Sequence, residues 1–153
     1  MLKKKINIIS ESETKNIAQY LYKISKKGDV LALSGEMGAG KTTFARHFIQ
    51  QGSRDEIVPS PSYNIYFKYR TKKSNIYHLD AWRLHGPEEV DNLGIKEYLE
   101  NSILIVEWPE NVKKILPSSM LKIRFDIDKK NNRNLYFTGN EEWEKRVKFK
   151  LNE

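Results

Sequence analysis

The apolar run Val30-Leu31-Ala32-Leu33 stops at Ser34 and gives way to Gly35-Glu36-Met37-Gly38-Ala39-Gly40-Lys41-Thr42, which fits G-x-x-x-x-G-K-[ST]. No other segment constrains the fold as much. Glycines at these positions let the backbone turn tightly, so that successive N–H groups point inward at phosphate oxygens. The apolar run reads as a strand buried on both faces. Thr42 to Gln51 reads as a helix, with Phe44, Phe48 and Ile49 on one side and Gly52 closing it. Strand, glycine loop and helix in that order are the context the motif requires. The Lys41 ammonium then reaches the β- and γ-phosphates and the Thr42 hydroxyl can coordinate Mg²⁺. The helix directs its positive N-terminus at the same phosphates.

The rest of the chain alternates strands and helices. Ile6 to Ile9 reads as a short strand, and Ser10 with Glu13 forms a capping box that opens a helix carrying Ile17, Tyr20, Leu21 and Ile24. Gly28 is its expected stop. Ile65 to Tyr69 and Ile76 to Asp80 form a hairpin around the polar turn 71–75. Pro87 to Glu100 is helical with an interruption at Gly94, Ile103 to Val106 is a second buried strand, and Pro109 to Leu116 is a short helix begun by proline. Leu121 to Ile127 alternates as an edge-type strand that pairs with Leu135-Tyr136-Phe137 across a turn at 129–132. The last dozen residues fit helix and strand equally. No repeat or long linker divides the chain, so residues 1–153 are expected to form one α/β domain. A chain of this length buries about 68–70% of its unfolded surface.

Composition narrows the setting. There is no cysteine, which excludes disulfides, thiolate metal sites and cysteine nucleophiles. No stretch approaches the ~20 apolar residues of a membrane span, and Ile6-Asn7-Ile8-Ile9 is too short for a signal-peptide core, so a soluble cytoplasmic protein is expected. The net charge of +7 is unevenly placed: residues 1–80 carry +7, residues 81–112 carry −5, and residues 113–153 carry +5. Basic ends suit an anionic partner such as nucleotide or RNA, and suit equally a lysine-rich solvated surface.

Hydrolysis at a phosphate loop needs carboxylates that hold metal and orient water, usually at the end of a neighbouring buried strand. Asp80 ends Ile76-Tyr77-His78-Leu79, and Glu107 ends Ile103-Leu104-Ile105-Val106. The guanine-reading sequence N-K-x-D is absent, which argues against a GTPase, and no Arg-rich lid of the small-molecule kinase type is present. His78 and His85 read as structural histidines. Arg83 and Arg133 are candidates for nucleotide contact, Arg133 against the simpler reading of a surface arginine. Trp108 either stacks on a base or fills core beside a strand end. Residues 10–13 are a candidate place for adenine, and the missing N-K-x-D favours ATP over GTP.

Taken together, Gly35 to Thr43, Ser60-Pro61-Ser62-Tyr63, His78-Leu79-Asp80-Ala81-Trp82-Arg83-Leu84, Glu88-Glu89 with Leu93-Gly94-Ile95, and Val106-Glu107-Trp108-Pro109-Glu110 resemble the TsaE (YjeE) family. This is the bacterial ATPase family of tRNA threonylcarbamoyladenosine formation, and the motifs run in family order over about residues 30–112. The resemblance implies a P-loop NTPase fold, with a mixed, largely parallel central sheet flanked by helices. It implies nucleotide binding by Gly35, Glu36, Met37, Gly38, Ala39, Gly40, Lys41, Thr42 and Thr43, a switch-like loop at Ser62, and a site tryptophan at Trp108. Thr42, Asp80 and Glu107 would hold Mg²⁺, and Lys41, Asp80 and Glu107 would serve ATP hydrolysis. The implied function is support of N6-threonylcarbamoyladenosine formation at position 37 of tRNAs reading ANN codons, with TsaD and TsaB as partners. Three departures stand out: Ser62 replaces a usual Thr, Trp82 a common Tyr, and Glu36 a frequent Asp, with a longer arm that must turn away from phosphate or be neutralised. The rival readings are a small-molecule kinase using the same loop, and an RNA-binding adaptor with a vestigial one.

Overall fold

The computed structural model describes residues 1–53, 58, 66–84, 87–92 and 94–149. Among these, seven strands form one sheet: β1 (Leu2–Ile8), β2 (Val30–Gly35), β3 (Tyr66–Arg70), β4 (Asn75–Asp80), β5 (Ser102–Glu107), β6 (Leu121–Ile127) and β7 (Arg133–Gly139). Their spatial order is β1-β7-β6-β2-β5-β4-β3. The central pairs β6–β2, β2–β5 and β5–β4 are parallel, and the outer pairs β1–β7, β7–β6 and β4–β3 are antiparallel. The mixed, centrally parallel α/β domain is the architecture expected.

Helices α1 (Glu11–Ile24) and α2 (Lys41–Gly52) lie on one face. Leu21, Phe44, Phe48 and Ile49 from them pack with Leu31, Leu33, Ile123, Phe125 and Phe137 from the strands, all essentially free of solvent. On the other face, Val30, Ala32, Leu79, Leu104 and Val106 are covered by Val112 and Leu116 from the 3₁₀ segment Pro109–Ile115 and its end, and by Met120. β2, β4 and β5 are thus buried from both sides, which is why their sequences read as unbroken apolar runs.

Several sequence expectations change in detail. β1 extends back to Leu2, so Lys3, Lys4 and Lys5 belong to an edge strand, where lysines discourage further pairing. α1 ends at Ile24 with Ser25 as its cap, short of Gly28. The expected helix Pro87 to Glu100 splits into α3 (Pro87–Asn92) and the 3₁₀ segment Ile95–Asn101, because Gly94 takes a left-handed φ of 71°. β6 is not an edge strand: it lies between β2 and β7. Its alternation records one buried and one open face, a property of faces and not of edges. The ambiguous C-terminal stretch contains α4 (Glu141–Arg146), capped by the Asn140 side chain accepting from the Trp143 N–H at 3.1 Å. No helix among the described residues is long and apolar enough to cross a membrane.

The predicted N-cap of α1 forms. Ser10 Oγ accepts from the Glu13 N–H at 3.3 Å, while the Glu13 carboxylate returns to the Ile9 N–H at 2.9 Å, one residue before the usual capping-box position. Ser10→Ala is expected to cost about 1 kcal/mol of unfolding free energy, read from the urea midpoint at unchanged slope.

Candidate active site

The carboxyl ends of parallel strands are where an α/β sheet of this kind places its ligands. Gly35, Asp80 and Glu107 are the last residues of β2, β4 and β5. Parallel register sets Glu107 beside Leu33 on one side and beside Asp80 on the other. The phosphate loop and both acids named from the sequence therefore meet at one edge. Both carboxylate residues are buried.

The loop conformation depends on its glycines at two points in particular. Gly35 has a φ of 130°, and a Cβ there would run into the carbonyl of Phe125. Gly40 is the left-handed N-cap of α2, with a φ of 109°, and no side chain caps the helix. The first turn of α2 also contains no acidic residue, unlike that of α1, which carries Glu11 and Glu13. The N–H groups and positive end of a twelve-residue helix are thus directed, uncapped by side chains, at the loop. Glu36 is exposed and does not line the cleft.

Lys41, though charged, is buried. Its ammonium donates to the carbonyls of Gly35 and Glu36, and lies 3.8 Å from the centre of the Trp108 ring. Burial pushes the Lys41 pKa down from its ordinary value, while Glu107, Glu110, Asp80 and Glu36 pull it back up. Thr42 Oγ1 donates to Glu107 Oε1 at 2.8 Å. The other oxygen, Oε2, is 2.6 Å from His78 Nε2, in a pair almost wholly out of solvent. No described group accepts from or donates to His78 Nδ1. With Nδ1 bare, the arrangement fits an Nε2–H donor to Glu107. Asp80 Oδ1 accepts from the Trp82 N–H at 2.9 Å.

Trp108 packs against the core cluster of Val30, Ala32, Leu104 and Val106 and also reaches the cleft. It is half-buried with a left-handed φ of 58°, uncommon for a residue with a Cβ, and its N–H donates to the Leu33 carbonyl at 3.2 Å. That turn aims the ring over Lys41 and against Trp82, 4.4 Å between centroids. Met37, Gly38, Gly40, Lys41, Thr42, Thr43, Asp80, Trp82, Glu107 and Trp108 line a cleft of about 300 Å³. On the other side of the loop is a second cleft of about 280 Å³, lined by Ile9, Ser10, Glu11, Thr14, Ala39, Asn131 and Arg133, among others. The Arg133 guanidinium donates to the carbonyls of Gly38 at 3.3 Å and Asn131 at 2.8 Å, so it is half-buried against the loop and is not a plain surface arginine. The stretch 10–13 suggested for adenine contributes Ser10 and Glu11 to this second cleft.

Arg83 follows β4 as an exposed residue outside both clefts. Ser62, the rest of the 60–63 loop, His85 and Leu93 lie outside the described residues. The residue that sequence reasoning undervalued is His78. The spacing His78-x-Asp80 on one strand puts both side chains on the same face, and that was the available signal. Chemically, one hydroxyl and two carboxylates beside a loop of N–H donors suit Mg²⁺, which takes one or two carboxylates and completes its shell with phosphate oxygens and water. Among the described residues no three His, Asp or Glu side chains cluster as an all-protein metal cage.

Comparison with known proteins follows the same direction. The family model described as threonylcarbamoyl adenosine biosynthesis protein TsaE matches residues 8–135. The chain is similar to the tRNA threonylcarbamoyladenosine biosynthesis protein TsaE of Rickettsia typhi, 37% identical over 126 residues, which covers 81% of this chain and 87% of that one. The protein of that name from Bacillus subtilis is 34% identical, over 86% of this chain and 82% of its own. The crystal structure of Bacillus subtilis YdiB superposes with a TM-score of 0.80 at 30% identity, covering 94% of this chain and 90% of that one.

Proposed function

The chain belongs to the TsaE family of tRNA threonylcarbamoyladenosine biosynthesis, and from that premise we propose that it is the Mg²⁺-dependent ATPase of this modification, acting on a TsaB–TsaD complex. The observation that carries the reading is the Thr42–Glu107 hydrogen bond, beside Lys41 and in register with Asp80.

Each group has a separable role in this reading. The loop amides, the α2 N-terminus and Lys41 bind and orient the phosphates of ATP. Thr42 and Glu107 hold Mg²⁺, which supplies charge neutralisation at the phosphates when bound. Hydrogen-bonded to Thr42 on one oxygen and to His78 on the other, Glu107 is fixed in direction before any ligand arrives. Asp80 is held by the Trp82 N–H and orients the attacking water. Ser10, Glu11 and Arg133 border the second cleft, which supports placing the nucleoside there. Arg133 is engaged with the loop and Arg83 lies outside the cleft, so unaided turnover is slow and partner contact accelerates it.

The division between the acids is testable. Glu107→Gln should lower hydrolysis about 100-fold and raise the Mg²⁺ concentration for half-maximal rate about tenfold. Asp80→Asn should lower turnover with that Mg²⁺ midpoint unchanged. Phosphate release is measured with and without TsaB–TsaD. A phosphorylated acceptor in place of free phosphate would overturn the ATPase reading in favour of a kinase. Wild-type Mg²⁺ dependence in Glu107→Gln would overturn the role given to Glu107.

A further inference from the structure

We propose that the face of β1, β7 and β6 turned away from α1 and α2 is a docking surface for the phosphate backbone of RNA. Lys3 and Lys5 lie more than a hundred residues from Lys122 and Arg124 in the sequence, and antiparallel pairing through β7 brings them side by side. Lys3 is opposite Thr138, which is opposite Lys122; Lys5 is opposite Tyr136, which is opposite Arg124. Residues opposed across neighbouring strands share a face of the sheet, so the four cations stand in two rows about 7 Å apart along the strands. All four are exposed. Residues of the other parity, such as Leu2, Ile123, Leu135 and Phe137, enter the core instead.

The surface is organised as well as charged. Arg124 Cζ lies 4.4 Å and Lys5 Nζ 5.7 Å from the centre of the Tyr136 ring, so two of the cations converge on one aromatic side chain. Stacking on tyrosine orients the planar guanidinium in advance, which reduces the ordering cost of binding. Asp126 is 3.5 Å from Arg124 and offsets part of the charge. The result is a shallow groove of about 590 Å³, floored by Ser34, Thr138 and Tyr136 and walled by lysine and arginine.

Its chemistry favours nucleic acid over an acidic protein. The centre of a protein interface is depleted of lysine and built on buried apolar anchors. This groove offers dispersed cations and small hydroxyl residues, the composition that reads a phosphate backbone without reading sequence. None of the four cations lines either cleft at the phosphate loop, so the inference stands apart from the ATPase reading.

The test uses the full chain and a fluorescently labelled, unmodified tRNA transcript, followed by anisotropy from about 50 to 200 mM salt. The triple variant Lys5→Gln, Lys122→Gln, Arg124→Gln should bind at least about tenfold more weakly, and its slope of log K against log salt should be shallower by about 2–3. A control triple, Lys27→Gln, Lys72→Gln, Lys145→Gln, removes equal charge from exposed positions elsewhere and should stay within about twofold of wild type. Far-UV circular dichroism should be unchanged in both, which reports an intact fold. Equal weakening by the two triples, or no salt-sensitive binding by wild type, would overturn the proposal. Displacement of the transcript by a polyglutamate peptide of equal charge at equal concentration would also overturn it, assigning the face to acidic proteins.

Discussion

Lys41→Ala is expected to lose ATP binding by about 10- to 150-fold, the value of one charge-assisted hydrogen bond at about 1.5–3 kcal/mol. Stimulated hydrolysis should fall further, about 1000-fold in kcat/KM, because the ammonium also neutralises charge that develops on the transferred phosphoryl group. The fold should survive. Lys41 is a buried cation whose pKa is held down by desolvation, so its removal relieves a cost as it deletes contacts with Gly35, Glu36 and Trp108. Calorimetric titration with a non-hydrolysable analogue, together with phosphate release, separates binding from turnover. Ordinary stimulated hydrolysis by this variant would remove the phosphate loop from the active site.

Gly35→Ala should act through stability instead. The new methyl meets the Phe125 carbonyl oxygen, with its carbon at 3.1 Å and the Phe125 Cβ at 3.2 Å, and the φ of 130° is one that L side chains rarely adopt. Strained backbone and overpacking each cost about 1–3 kcal/mol, so about 4 kcal/mol is expected in all. Neither neighbour can yield cheaply, because Gly35 and Phe125 are register partners in the parallel β2–β6 pair. Gly38→Ala is the internal comparison: its φ is 82° but nothing lies within 4 Å of the added methyl, so about 1–2 kcal/mol is expected. Urea unfolding of the two variants measures the difference. Equal midpoints would mean that backbone conformation alone, and not the approach of β6, sets the requirement at Gly35.

Much of the site could be read before the fold was known, for local reasons. A buried strand, a glycine loop and a helix are contiguous, and the roles proposed for Lys41 and Thr42 follow from that contiguity. Asp80 and Glu107 were legible because each ends an apolar run. Two features were not. His78 had no visible partner in the sequence, and its contact with Glu107 arises only because β4 and β5 are adjacent and parallel. Trp108 was ambiguous because its orientation depends on a left-handed backbone turn that no neighbouring residue announces.

β6 illustrates the limit of pattern reading. Leu-Lys-Ile-Arg-Phe reports faithfully that one face is buried and one is wet, yet it is silent on which strands lie to either side.

Residue order alone marks out a strand–loop–helix of the phosphate-loop type, the two acids at strand ends, the absence of cysteine chemistry, and the resemblance to the family. The first two depend on residue identities within a few positions of one another, whereas the last two are read over the chain as a whole. Folding was needed to establish which acid meets Thr42, what orients that acid, where the Lys41 ammonium rests, and that Lys3 and Lys5 share one open face with Lys122 and Arg124. Those are consequences of strand order and register, which are set by how the whole chain buries its apolar surface, and no local stretch of sequence carries that information.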